Sequence, residues 1–473
     1  MTPIAGSAPA GWAGATNPAV ARPAPGPLLT LGFACFCFYA FVRGSRILEL
    51  GPARILHLPG IAFGLAILAA VLSGRIIEVL QDRIAVYLVG LSVCVVIAIP
   101  GSYWRGGSVT MLTQMWIPTM LMFLAGGAVI ATLAQCRRSL YVVGLASATG
   151  AVLVNVMGRT LNERLVVSGG TFANSNTTAI TLLLGMPMVW LLAASSRAGM
   201  FSKAFVGVVL MVMLVALLRT GSREGLVGLA ALAAIAFLRS SLVGKIKLAL
   251  AMAALMVVTV MFLPRSLKSR FATTFQGATM ETQEGQTEAE RQMLISAAGS
   301  TEGRRELLVG SLKLTIQHPL LGVGPGQFAP YMASQAKINR VHTLWVGTHN
   351  TFTQVSSEVG IPALCFYVAV LASSIRALRG IYRRARRIPG EQARDIATMA
   401  LALHTSFMVY CVCALFNHMA YEMTMPLMAA VTVAMRRTAP DELSRLEDAE
   451  RRPEGAPESF LPVLPDRTRA AVG

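Results

Sequence analysis

Residues 358–387 read EVGIPALCFYVAVLASSIRALRGIYRRARR. The apolar run over 358–378 is long enough for a helix to cross a bilayer, which takes roughly 20 residues at about 1.5 Å of rise each. It gives way to Arg376, Arg379, Arg383, Arg384, Arg386 and Arg387, with Arg394 close behind. Arginine and lysine collect on the cytoplasmic side of membrane helices. This one stretch therefore predicts both a span and its direction, with the arginine-rich end inside the cell.

The same pattern recurs along the chain. Its 473 residues are 54% hydrophobic and only 14% charged, against about a quarter charged in a soluble domain. Further apolar runs lie at 28–43, 55–73, 84–100, 116–134, 139–157, 177–194, 202–219, 225–239, 245–263, 397–416 and 419–435. The expected fold class is all-α: a polytopic helical membrane protein of about twelve transmembrane helices with one large extracytoplasmic loop. Residues 1–27 are rich in Ala, Pro and Gly with Arg22 as their one charge, and read as a disordered tail. A bundle of nine spans follows over 28–263, then the loop at 264–357, the last three spans at 358–435, and a charged tail at 436–473 that is also expected to be disordered.

Positive charge orients the bundle. Arg75 and Arg83, Arg137 and Arg138, Arg197 and Lys203, and Arg239, Lys245 and Lys247 fall in loops on the same side as Arg376–Arg394. Both termini are then cytoplasmic, and 158–176, 219–224 and 264–357 share the outer face. The net charge of +18 raises the question of nucleic acid. A nucleic-acid binder gathers its basic residues on a soluble domain; here they flank apolar runs, so topology accounts for them and no nucleic-acid partner is expected. Of the seven cysteines all but Cys136 lie in apolar runs and none in the large loop, which argues against a disulfide framework or a thiolate metal site.

Within the large loop, Thr279–Glu290 is polar and acidic, with Glu281, Glu284, Glu288 and Glu290, and is expected to be mobile. Glu302–Gln317 places Leu307, Leu308, Leu312 and Ile316 at helical spacing. An amphipathic helix is predicted there, on the membrane or against the bundle, stopping at His318-Pro319.

Four constellations carry candidate chemistry. In Thr348-His349-Asn350-Thr351-Phe352, His349 is either a base working near neutrality or an interfacial anchor; Glu358 just beyond either joins it or favours a helix N-terminus. The run Leu320–Phe328 is glycine-rich but lacks the Lys-Ser/Thr of a nucleotide loop, and reads as a tight turn folding the loop back over the bundle. Arg223 in Thr220–Gly225, and Arg304 and Arg305 in Gly303–Glu306, run against the charge trend on the outer face. A phosphate ligand would explain them, as would snorkelling to lipid headgroups. Asn174 and Asn176 in Gly169–Asn176 suit sugar hydrogen bonds or a helix cap. His404, His418 and Glu422 lie in or between the last spans, with His418 and Glu422 spaced to pair on a helix.

The order of Phe-Ala-Asn-Ser-Asn (172–176), Ser-Arg-Glu-Gly (222–225), Gly-Arg (303–304), His-Pro-Leu-Leu-Gly-Val-Gly-Pro-Gly-Gln-Phe (318–328), His-Asn-Thr-Phe (349–352) and Glu-Val-Gly (358–360) resembles the O-antigen ligase and polymerase superfamily. The resemblance covers about residues 169–362. It implies a GT-C-like glycosyltransferase of the bacterial inner membrane that needs no metal or other cofactor. Such an enzyme moves a glycan from an undecaprenyl pyrophosphate donor, at the periplasmic face, to a lipid A core, a protein or another lipid-linked glycan. By the same resemblance His349 is the base, and Arg223 and Arg304 hold the pyrophosphate, with Arg305 as the alternative to Arg304. Asn174, Asn176, Asn350 and Glu358 are candidate donor or acceptor contacts. Leu308 departs from the pattern, standing where family members often carry Trp. The rival from another class is a transporter or flippase of lipid-linked sugars. It calls for ionisable residues near the midplane and pseudo-symmetric repeats, whereas the polar candidates here gather at one face.

Overall fold

Many of the helices begin where the sequence supplies a proline or a capping side chain. Pro27, Pro59, Pro118 and Pro362 sit in first turns, where no amide hydrogen is needed. Asp82, Thr132, Asn174, Ser222 and Asn350 are N-caps whose side chains accept from the first free amides. The computed structural model describes residues 25–49, 57–161, 164–167, 174–195, 198–262, 288–338 and 347–451.

In chain order the helices are α1 (Pro27–Ser45), α2 (Leu58–Leu72), α3 (Ile76–Leu80), α4 (Arg83–Ala98), α5 (Arg105–Met111), α6 (Ile117–Val129), α7 (Leu133–Met157), α8 (Ser175–Ala194), α9 (Met200–Arg219), α10 (Arg223–Arg239) and α11 (Leu242–Phe262), then α12 (Glu288–Gln317), α13 (Phe328–Ile338), α14 (Thr351–Val359), α15 (Ile361–Ala385), α16 (Glu391–Cys413) and α17 (Thr424–Arg451). A π turn over Leu112–Trp116 joins α5 to α6. Between α7 and α8, β1 (Arg159–Leu161) and β2 (Arg164–Val166) pair antiparallel.

A helix stands at every apolar run read from the sequence. Among the described residues, α1, α5–α6, α7, α8, α9, α15 and α16 are each long and apolar enough to cross a membrane; α2 and α4 are shorter apolar helices. This is an all-α, multi-pass membrane protein. α1 packs on α2 and α7, α4 on α15, α8 on α7, α9 and α16, and α17 on α6. The outer faces are as apolar as the core: Leu65, Leu68 and Val71 of α2, Val86, Val93 and Ile97 of α4, and Phe201, Phe205 and Val208 of α9 are all exposed. A helix apolar all round is one built for lipid.

The two ends of the bundle differ. At one end Arg384 forks onto both carboxylate oxygens of Glu447 at 2.9 Å, Arg137 meets Asp395 at 2.9 Å, and Arg436 meets Asp82 at 2.9 Å. α15 runs toward that end and α16 back from it, so the start of α14 and the turns after Cys413 meet at the opposite end.

Three expectations need correction. The tail from 436 is not disordered as far as it is described: α17 continues to Arg451, through Pro440. Ala439 and Leu443 are buried and Leu446 packs on the core; their helical spacing and the Arg384 fork hold the segment down. The last span starts at Thr424 rather than near 419, because 414–423 forms successive turns. In α12, which ends at Gln317 as predicted, the buried face is Ser311 and Leu314 with Leu307 beside them, whereas Leu308, Leu312 and Ile316 are exposed. The apolar stripe is wider than one contact, so one edge meets Val323 and Phe328 while the other stays outward. The expected N-terminal tail over 1–24, the acidic stretch 279–287 and residues 452–473 lie outside the described residues; Glu288 and Glu290 open α12.

Candidate active site

The glycine run docks the loop onto the bundle. Val323 N donates to Ser357 O and Gly324 N to Glu358 O, both at 2.9 Å, and Ile361 N donates to Pro319 O at 2.7 Å. Gly322 (φ 63°) and Gly324 (φ 107°) take left-handed backbone that L side chains rarely adopt. A Cβ at Gly324 would overlap Ser102, and one at Gly322 the backbone of Glu358. The turn wraps the Glu358 side chain. Its Oε2 accepts from Gly326 N at 2.9 Å and from the Tyr421 hydroxyl at 2.7 Å, and its Oε1 accepts from Phe328 N at 3.2 Å. Glu358 is 4% exposed. With both oxygens occupied it latches the loop to the bundle.

A second latch places the histidine. Asn350 caps α14, its Oδ1 accepting from Phe352 N at 2.9 Å and Thr353 N at 3.1 Å, while its Nδ2 donates to Leu415 O at 3.2 Å. Thr351 N donates to Ala414 O at 2.7 Å, Thr351 Oγ1 donates to Asn417 O at 2.6 Å, and Ala420 N donates to Gln354 Oε1 at 3.1 Å. The start of α14 is thereby stitched to the 414–423 turns. Asn350 thus bolts this junction together.

His349 precedes this cap with φ 51°, a conformation His adopts more readily than most residues. The His418 ring stands edge-on to it, centroids 5.2 Å apart, and lies over Gly347, where a Cβ would come within 2.9 Å of that ring. His418 does not pair with Glu422 as its spacing suggested, because the segment between them is not helical. Burial first, then His418, then Arg304 pull the His349 imidazole from 6.5 down to about 4. Burial lowers His418 as well. His349 is therefore neutral at physiological pH, able to accept a proton, and its Nδ1 is buried without a hydrogen-bond partner.

The two loop arginines separate. Arg304 is half-buried and acts electrostatically on both His349 and Glu224. Arg305 points away, its side chain 77% exposed beside Glu302 at 3.9 Å; successive residues of a helix face about 100° apart. Arg223 opens α10 next to Glu224, with Ser222 as the cap.

The asparagines also have structural occupations. Asn174 caps α8, accepting from Asn176 N at 2.9 Å. The Asn176 Oδ1 accepts from Arg164 Nη2 at 2.7 Å and from Ser222 Oγ at 2.9 Å, and Arg164 Nε donates to Thr220 O at 3.0 Å. These contacts tie β2, α8 and α10 together and occupy the oxygens that were expected to meet sugar. They bring in a third arginine, Arg164, whose charge also reaches Glu224. Its candidacy was hidden because it lies on a short hairpin with no motif around it.

A cavity of about 260 Å³ opens between α1, α6, α7, α8 and the 414–423 turns. Its wall is apolar, with Met115, Met122, Val143, Leu184, Met188 and Leu427; Arg43, Arg46, Gln114, Thr177 and Glu422 give it polar positions. Glu422 feels the charges of Arg46 and Glu224, so it links this cavity to the His349 cluster.

Residues 206–368 match the O-antigen ligase family. The similarity spans about a third of the chain. No curated protein matches the chain. The O-antigen ligase segment contains Arg223, Glu224, Arg304, Arg305, His349, Asn350 and Glu358. Arg164, His418 and Glu422, which face those residues, come from outside it.

Proposed function

We propose that this protein is a membrane glycosyltransferase that moves a glycan from undecaprenyl pyrophosphate to an acceptor hydroxyl, as an O-antigen ligase or a polysaccharide polymerase. The observation that carries the reading is a half-buried His349 whose Nδ1 has no hydrogen-bond partner and whose imidazole is lowered by burial, His418 and Arg304, inside the segment that matches the O-antigen ligase family. The acceptor hydroxyl must lose its proton as it attacks the anomeric carbon, and a neutral imidazole can take it. As the bond to the donor's phosphate oxygen breaks, negative charge grows on the leaving pyrophosphate. Arg304 and Arg223 stabilise it without a metal ion, and direct displacement inverts the anomeric centre. The apolar cavity with Arg43 and Arg46 suits the head of an isoprenoid chain carrying a phosphate.

In this reading the chain sits in the bacterial inner membrane. The Arg384–Glu447 end and both termini face the cytoplasm, and 264–357 is a periplasmic segment between spans at 28–263 and 358–435. The test is His349→Ala in a host lacking its own copy, scored on surface polysaccharide. Loss is expected, and normal polysaccharide from a stably expressed variant refutes the base. Single lipid-linked repeats accumulating in the variant mark a polymerase; long lipid-linked chains mark a ligase.

A further inference from the structure

Glu224 is 1% exposed, and neither of its carboxylate oxygens has a hydrogen-bond partner. Buried carboxylates are nearly always bonded, and the exceptions call for a ligand or a catalytic task. The donors around it are engaged elsewhere. The Gly225 amide donates to Ser222 Oγ at 3.1 Å, and Ser222 Oγ donates to Asn176. Arg164 directs Nε and Nη2 to Thr220 and Asn176. Burial pushes the Glu224 carboxyl up from 4.5 to about 8; Arg304 and Arg164 pull it back toward the charged form and Glu422 opposes them. Arg304 acts on His349 as well, so Glu224, Arg304 and His349 share one neighbourhood.

We propose that Glu224 is a substrate-binding carboxylate whose two oxygens accept hydrogen bonds from hydroxyls of the sugar at the point of transfer. This rests on the glycosyl-transfer reading. Once ionised, a carboxylate offers only acceptors, and hydroxyl donors from a sugar would both satisfy its two oxygens and favour that ionised form. A pyrophosphate placed directly against it would be repelled. The hydroxyl-bearing sugar therefore belongs on the Glu224 side of Arg304, with the phosphates on the arginine side. Such an arrangement fixes which way round the donor lies and brings the anomeric carbon between the arginines and His349. In the substrate-free protein the carboxylate waits unbonded, a loss of stability exchanged for function.

Glu224→Gln in the full-length chain tests this with two readouts, melting temperature in detergent and polysaccharide made in a host lacking its own copy. Glutamine keeps the buried group neutral, so it cannot ionise on binding, and leaves one acceptor in place of two. The expected result is a melting temperature equal to or above that of the wild type, together with about tenfold or greater loss of transfer. Glu224→Asp, which keeps the charge, should recover part of the activity. A Gln variant that is both inactive and less stable overturns the assignment, because the carboxylate then supports the fold, through bound water or otherwise. A stable Gln variant with full activity overturns it alone. A wild-type chain that fails to restore polysaccharide overturns the transfer reading and this assignment with it.

Discussion

Acid should inactivate this protein far later than it would an enzyme relying on an unperturbed histidine. Burial, His418 and Arg304 together bring His349 from 6.5 to about 4, which disfavours the imidazolium by about 3 kcal/mol. At pH 5.5 an ordinary imidazole is about nine-tenths protonated and useless as a base, whereas His349 remains almost wholly neutral. The acid limb of kcat/KM reports the free enzyme, so it should lie near pH 4, with little loss between pH 7 and 5.5. A bound pyrophosphate adds negative charge and makes the imidazole more basic, so the limb of kcat should lie above that of kcat/KM. Initial rates from the purified chain in proteoliposomes, charged with lipid-linked glycan and followed from pH 8 to 4, measure both. His418→Phe keeps an aromatic wall and removes one of the lowering influences, and should move the limb upward. The same shift makes folding pH-dependent. The unfolded histidine takes up its proton near 6.5 and the folded one only near 4. The His349 contribution is thus fully present above about 6.5 and declines by up to about 1.4 kcal/mol per pH unit as pH falls toward 4. A kcat/KM limb centred near 6.5, in protein still folded at that pH, would refute the proposed placement of the base.

Arg304→Ala should reduce transfer by about a hundredfold or more, since it withdraws a charge aimed at the leaving group. Arg305→Ala should stay within about twofold of wild type, and equal losses in the two would count against the split seen on α12. Glu358→Ala strands the Gly326 and Phe328 amides and the Tyr421 hydroxyl. A destabilisation of about 3 kcal/mol or more is expected, read as a lower melting temperature in detergent, with Glu358→Gln milder; an unshifted melt would show that the latch carries no load. Removing residues 439–473 exposes what Ala439 and Leu443 bury and unpairs Arg384 from Glu447. It should cost about 2–3 kcal/mol by the same measurement while leaving the site's pH profile unchanged.

The fold was legible because its causes are local. Apolar runs of span length and their arginine borders need no tertiary partner to be recognised, and a helix stands at each of them. Legibility ended where a tertiary contact decides. Charge and proline in 436–451 read as disorder, yet Leu443 finds the bundle and Glu447 finds Arg384. His418 and Glu422 look like a helical pair only if 414–423 is helical; as turns, the same residues face His349 and Arg46 instead. Asn174, Asn176, Asn350 and Glu358 were singled out because polar residues beside a catalytic motif look alike whether they meet substrate or backbone. The structure sorts them by what is left over. Asn174, Asn350 and Glu358 serve as caps and latches, and the Asn176 carbonyl is taken by Arg164 and Ser222. Around the same site, both oxygens of Glu224, Nδ1 of His349 and of His418, and Nδ2 of Asn417 are buried without a hydrogen-bond partner. Satisfied polar groups rigidify, while unsatisfied ones lower stability unless something binds them. A ring of satisfied latches around a cluster of unsatisfied donors and acceptors is what a preorganised polar site requires. That division, more than the presence of any single motif residue, is what supports the proposal that a sugar phosphate is held here.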